Sequence, residues 1–260
     1  MHFIPASQRP LQFHTQLCQC ITMLSSSSSG AENTYSKLCS AVLLPRYNTP
    51  AAHMDLWSVP HTREKGWYLS LMAPNDKGPN YAWLDPSRLY CHQQALQDCI
   101  EDLLQPFRDD FIDLVAGIDA MGFILGAAIA NYLGKGFLAI RKSGHLCVKT
   151  HSQPYVDYSG REKVMEVRTD AIKPGLRILL VDQWIETGGT MQAAIKLVEQ
   201  EGGVVAGVAA ICIEDSEGGL QVKAQYKCSD CVPEHLRIQF NSHYLHSFEA
   251  FPSQQENHEE

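Results

Sequence analysis

The spacing of apolar residues changes character along the chain. Leu96, Ile100, Leu103, Leu104 and Phe107 recur at helical intervals, which predicts an amphipathic helix over 94–107 with one buried face. From residue 113 onward, short apolar runs alternate with helix-period segments. The runs at 114–117, 136–140, 177–182 and 204–213 read as strands. The segments 122–133 and 191–201 read as helices, stopped by Gly134 and by Gly202-Gly203. A Pro174-Gly175 turn leads into the third strand. Nearly all-apolar strands alternating with helices predict an α/β domain, its sheet mainly parallel and covered by helices on both faces. Right-handed crossovers gather the loops that follow the strands at one edge, where ligands bind.

The flanks differ from this core. Residues 55–93 are rich in aromatic and turn residues (Trp57, Trp67, Tyr68, Pro74, Gly78, Pro79, Tyr81, Trp83 and Pro86) and read as loops and short strands forming a small cap, or hood. The first thirty residues contain no Asp or Glu, a single Arg9 and the serine run Ser25–Ser29. A serine run buries too little apolar area to offset its chain entropy, so 1–54 is expected to be a disordered leader. A transit peptide is the alternative, poorly served by one arginine. Met23 and Met54 are further candidate starts. The expected division is leader 1–54, hood 55–93, core 94–220, and a C-terminal extension with a polar tail over 221–260.

Composition narrows the function. The formal net charge of −8 argues against bulk binding to nucleic acid or acidic membranes, which need a basic face. No apolar run approaches the ~18 residues of a membrane span. Nine cysteines without a framework spacing suit a reducing cytoplasm. Cys18, Cys20 and Cys39 fall in the leader, whereas Cys99, Cys147 and Cys212 fall in segments read as core or beside it. Cys228-Ser-Asp-Cys231, followed by His235 and His243, is either two reduced cysteines or a structural zinc site; the lack of a second pair favours the former.

The most informative segment is 178–190. Four apolar residues end in Asp182, and a short loop then reaches Thr187-Gly188-Gly189-Thr190 at the start of a helix. Glycines allow a tight turn that brings N–H groups close to an anion. The helix start adds unpaired amides and a favourable dipole. Thr187 and Thr190 supply hydroxyl donors, and Asp182 can accept from hydroxyls beside a bound phosphate. A phosphorylated sugar meets both needs. The bland alternative is a turn whose residues merely cap a helix.

This segment resembles the phosphoribosyl-pyrophosphate motif of type I phosphoribosyltransferases. Other stretches, in the same order, are most similar to the adenine phosphoribosyltransferases among them. The segment 113–130 resembles the pyrophosphate loop and its helix, and Ile140-Arg-Lys-Ser-Gly-His-Leu146 an IRKxGKL strand end. Asp157-Tyr158 with Val164-Met-Glu166 resembles the flexible-loop hairpin, and Asp170-Ala-Ile-Lys-Pro-Gly175 the lead into the phosphate strand. The resemblance runs from about residue 94 to 215. It implies the type I fold and transfer of phosphoribose from phosphoribosyl pyrophosphate to a purine base, adenine first, with Mg²⁺ and release of pyrophosphate. It implies a cytoplasmic homodimer. By position, Asp182 and Gln183 face the ribose hydroxyls, while Glu186, Thr187, Gly188, Gly189 and Thr190 surround the 5′-phosphate. Ile118, Asp119, Ala120 and Met121 form the pyrophosphate loop. Arg141 lies near the base, Lys142 near pyrophosphate, and 143–169 form a mobile lid carrying Asp157 towards the purine. Asp157 and Asp182 are the catalytic candidates. Read from the residues alone, Arg141 and Lys142 suit a solvated strand end, and Asp157 suits a turn beside Ser159-Gly160.

The chain departs from the family pattern where chemistry is done. Gln183 replaces a second acid, Glu186 a small residue, Met121 an arginine and His145 a lid lysine. A Glu186 carboxylate about 4 Å from a phosphate would cost roughly 1 kcal/mol in water-like surroundings and roughly 4 at an effective dielectric near 20. Two readings remain open: an active purine phosphoribosyltransferase, or a weak or inactive relative that binds a nucleotide or phosphoribosyl pyrophosphate as a regulatory or partner subunit.

Overall fold

A computed structural model describes residues 59–72, 85–157 and 159–237. The expected leader, the hood residues Trp57, Tyr81 and Trp83, the lid residue Tyr158, and the tail with His243 lie outside these residues. Helices α1 (Ser87–Cys91) and α2 (Gln93–Leu104) lead into β1 (Leu114–Ile118), α3 (Met121–Leu133) and β2 (Gly136–Lys142). The hairpin β3 (Thr150–Val156) and β4 (Glu162–Arg168) follows, then β5 (Arg177–Ile185), α4 (Gly189–Gln200), β6 (Val204–Ile213), α5 (Glu217–Gln225) and β7 (Cys228–Ser229).

The seven strands form one sheet in the order β3-β4-β2-β1-β5-β6-β7. Strands β2, β1, β5, β6 and β7 run parallel, whereas β4 pairs antiparallel with both β2 and β3. The sheet is thus mainly parallel, with the hairpin built onto one side. In β5, Leu179 and Val181 face a core shared with Leu103 of α2 and with Leu125 and Ile129 of α3. Ile178 and Leu180 face the opposite core with Leu197 and Val198 of α4 and with Met165 and Val167 of β4. Successive strand residues point to opposite faces, so a strand covered on both faces must be apolar throughout.

Three expectations change. The helix expected over 94–107 ends at Leu104 and tightens into a 3₁₀ turn, Gln105–Phe107. Pro106 has no N–H to continue the α-helical ladder. Strand β5 runs past Asp182 to Ile185, because Trp184 and Ile185 still pair with Cys212 and Ile213 of β6. Among the described residues the hood holds helical turns, not the expected strands: Trp67–Leu71 is a 3₁₀ helix, and Tyr68, Leu69, Leu71 and Met72 are fully buried in the core of α2 and β6.

Glycine sets how closely α3 approaches the sheet. A Cβ on Gly122 would lie 2.7 Å from the Val181 carbonyl and 3.1 Å from Asp182 Cα. Both obstacles are backbone, so neither can rotate away. Gly122→Ala is therefore expected to lower the unfolding free energy by about 1–3 kcal/mol, as overpacking does elsewhere. Urea unfolding checks this; unchanged stability would show that α3 has room to retreat.

Candidate active site

The loops that follow β1 and β5 open at the same edge of the sheet. With the hairpin they enclose a cleft of about 290 Å³. Its lining includes Asp119, Ala120, Met121, Lys142, Asp157, Asp182, Gln183, Glu186, Thr187, Gly188 and Thr190. Of the expected site residues, Arg141 and Gly189 are not part of this lining. A second cavity of about 310 Å³, around Phe111, Tyr132 and Lys135, holds none of them.

The phosphate loop is built around two glycines. Gly188 has φ 77° and begins α4, and no side chain caps that helix start. Neither threonine side chain caps the helix, which leaves its first-turn amides able to receive an anion. Gly189 lies against the hairpin end, where a Cβ would stand 2.3 Å from the Val156 carbonyl. Ser216 caps α5 by accepting from Gly219 N–H at 3.0 Å, and its hydroxyl donates to the Glu186 carbonyl. These contacts fix the loop from behind.

Asp182 is half-buried. Burial pushes its carboxyl up to about 7, against a 2.8 Å hydrogen bond from Gln183 N–H. Gln183 is buried, and its side-chain oxygen has no hydrogen-bond partner among the described residues. In the loop after β1, the Asp119–Ala120 peptide is cis. Arg141 Nε donates to Asp119 Oδ2 at 3.4 Å, and its Nη1 donates to the His145 carbonyl at 3.1 Å. Arg141 and Asp119 thus tie the loop after β1 to the lid.

Residues 143–169 contain the β3–β4 hairpin. Glu166, buried at its base, accepts from His145 N–H at 2.9 Å, Leu146 N–H at 2.8 Å and the Thr150 hydroxyl at 3.2 Å. Burial alone would raise its carboxyl, but the amides of Leu146, Gly144 and His145 hold it below the usual range. Asp157 Oδ1 accepts from Ser159 N–H at 2.9 Å, the Ser159 hydroxyl at 2.6 Å and Arg161 N–H at 3.2 Å, while Oδ2 pairs with Lys163. Burial opposes the charge of Asp157, yet Lys163 and Ser159 outweigh it and keep the carboxyl well below its usual range. Asp157 both closes a turn and lines the cleft.

Four participants escape a reading of the sequence: Tyr155, Lys163, Trp184 and Glu214. Trp184 Nε1–H donates to Glu214 Oε1 at 2.5 Å. Burial raises Glu214 to about 7; the Trp184 bond opposes this and the charge of Glu186 adds to it. Glu186 is thus near Glu214 on the β6 side of the cleft. Cys231 meets Cys99 at 3.7 Å rather than Cys228, and Cys147 is exposed, against the expectation that it lies in or beside the core. Among the described residues, no cluster of His, Cys, Asp or Glu could hold a metal ion by itself, and no helix is long and apolar enough to cross a membrane.

The phosphoribosyl transferase domain family matches residues 87–244, which contain every cleft residue named above. The chain belongs to the phosphoribosyltransferase family. An adenine phosphoribosyltransferase of Neisseria meningitidis is 46% identical over 126 residues, 48% of this chain and 66% of the relative. One from a Bradyrhizobium strain is 39% identical over 171 residues, 65% of this chain and 92% of the relative. The Giardia lamblia enzyme, solved with 9-deazaadenine, superposes with a TM-score of 0.61 at 29% identity, covering 67% of this chain and 99% of that one. The fold expected from the sequence is therefore that of the type I phosphoribosyltransferases.

Glu214 gives the stability of this family member a pH signature. Its folded carboxyl sits near 7 against an ordinary 4.5, so the folded state holds a proton that the unfolded state has released between those values. Stability therefore falls as pH rises from about 5 to 8, by about 2–3 kcal/mol for this group. Asp182 acts in the same direction. Urea titrations at several pH values should show the fall, and Glu214→Gln should remove much of it. An unchanged slope in the variant would contradict the assignment.

Proposed function

We propose that this chain transfers the phosphoribosyl group of phosphoribosyl pyrophosphate to a purine base, adenine first, releasing pyrophosphate. The observation that carries this reading is the single cleft shared by the uncapped Thr187–Thr190 helix start and the Asp119–Met121 loop. One loop suits a 5′-phosphate and the other a pyrophosphate, with Asp182 and Gln183 between them for the ribose hydroxyls. The named relatives support adenine as the base.

In this reading the α4 amides and the Thr187 and Thr190 hydroxyls hold the 5′-phosphate. Asp182 and the unpartnered Gln183 oxygen accept from the ribose 2- and 3-hydroxyls. The base nitrogen attacks C1 as the C1–oxygen bond to pyrophosphate breaks, through a cation-like sugar. The protein contributes position and charge placement more than covalent chemistry. Asp119 and Lys142 flank the departing pyrophosphate. The hairpin excludes water, and Asp157 serves at the purine side of the lid.

Mg²⁺ fits as a companion of the substrate, not as a resident ion. Hard oxygen donors are present in Asp119, Asp182 and Gln183, too few for an all-protein cage but enough to complete a metal that arrives on phosphate oxygens and keeps its waters. Its chemistry there is to neutralise the departing charge. We also infer a homodimer, for which the exposed apolar residues Ile124 and Tyr132 of α3 and Phe137 of β2 provide a face. A cytoplasmic setting suits the free cysteines among the described residues.

Gln183 and Glu186 favour a second reading, in which the cleft binds such ligands with little turnover. Purified protein with phosphoribosyl pyrophosphate, Mg²⁺ and each of adenine, hypoxanthine, guanine and xanthine decides between them. The first reading expects nucleotide formation with adenine above the others; tight ligand binding without product supports the second. A combined Met121→Arg, Gln183→Asp and Glu186→Ala variant is expected to raise kcat/KM by about ten-fold or more, since each change restores a charge interaction worth about 1 kcal/mol or more. Lower activity would mean that this chain balances the charges in its own way.

A further inference from the structure

The cleft is short of positive charge for the ligand proposed above. Its lining carries four carboxylates (Asp119, Asp157, Asp182 and Glu186) and two ammonium groups, Lys142 and Lys163. The loop after β1 offers Met121 where the family has an arginine, and His145 stands where it has a lysine. Arg141 is engaged with Asp119. A pyrophosphate group adds several negative charges to a site that already has an excess of them. Mg²⁺ arriving with the substrate offsets part of this charge, and Lys163, which lines the cleft, is in place to offset more.

The position of Lys163 is set by the sheet. Val167, Met165 and Lys163 alternate along β4 on one face. Val167 and Met165 are buried against the α4 core, and the row reaches the cleft at Lys163. Directly across the antiparallel pair stands Tyr155, whose side chain shares that face and also lines the cleft. Tyr155, Lys163, Asp157, Asp182 and Asp119 line the same cleft, so the lysine opens onto the site that holds the ribose and pyrophosphate positions proposed above. An apolar residue would continue the row at this point; a lysine there buries its stem along the core and aims its ammonium into the cleft.

We propose that Lys163 is a second pyrophosphate-binding cation of this chain beside Lys142, supplying from the lid the charge that Met121 and His145 do not. Its link to Asp157 is compatible with this role. An ammonium has three donors and can hold Asp157 Oδ2 and a phosphate oxygen together. Asp157 keeps three hydrogen bonds on Oδ1 whatever Lys163 does. The lysine also couples ligand to lid, since it rides on β4 and grips the turn that Asp157 closes. The assignment rests on the phosphoribosyl transfer reading.

Two ligands that differ only in pyrophosphate test it. Full-length wild-type, Lys163→Met and Lys163→Arg proteins are titrated calorimetrically with phosphoribosyl pyrophosphate plus Mg²⁺ and, separately, with ribose 5-phosphate. Lys163→Met is expected to weaken phosphoribosyl pyrophosphate about ten-fold or more, as loss of a charge-assisted contact does, and ribose 5-phosphate by less than about two-fold. Lys163→Arg is expected to retain most of the difference. Equal loss of both ligands in Lys163→Met, or no loss of either, overturns the assignment. A wild-type chain that binds neither ligand overturns the functional reading itself, a separate and recognisable result.

Discussion

The close approach of α3 to β5 at Gly122 and Asp182 is the contact on which the site depends. In the proposed reading the loop after β1 serves the pyrophosphate side, and the loop after β5 the phosphate side. They belong to one cleft because β1 and β5 are neighbours in register, with Ala116 beside Leu180 and Gly117 beside Val181. The helix leaving the first loop must then pass over the end of the second strand. With Gly122 its backbone comes within van der Waals reach of Val181 and Asp182; with any side chain it could not. Asp182 is half-buried at this approach, and burial raises its carboxyl to about 7.

Around this frame the chain redistributes charge. In the proposed reading the phosphate seat relies on amides and hydroxyls, and the ribose position has one acid and one amide. That amide, Gln183, is buried with an oxygen lacking a partner among the described residues, an arrangement that costs stability unless a ligand hydroxyl completes it. Glu186 lies on the β6 side, near Glu214, whose burial raises its carboxyl to about 7 against the opposing hydrogen bond from Trp184. Glu186 would otherwise face a second full charge as well as the phosphate.

Much of this was legible in the sequence because fully covered strands and glycine-stopped helices leave plain patterns. The cleft residues on the two loops were legible too, since Asp182 and Thr187–Thr190 follow one another along the chain. What escaped did so for physical reasons. Gln183 and Trp184 break the apolar run although β5 continues, because Trp184 and Ile185 still pair with Cys212 and Ile213 of β6. Pro106 divides a helix whose apolar spacing is unbroken. Strand β3, Thr-His-Ser-Gln-Pro-Tyr-Val, has little apolar alternation and is a strand only through its pairing with β4. Tyr155 and Lys163 therefore become neighbours only in the folded hairpin. Glu214 sits beyond β6, 30 residues from the tryptophan that binds it.

The central claim is that backbone amides at the start of α4 form the seat of a ribose-linked phosphate. Amide-resolved NMR titration of the isotopically labelled chain tests it most directly, with adenosine 5′-monophosphate against adenosine. The account predicts large, saturable shifts of the Gly188, Gly189, Thr190 and Met191 N–H signals with the nucleotide and not with the nucleoside. Nucleotide binding that leaves those four amides unmoved would contradict it.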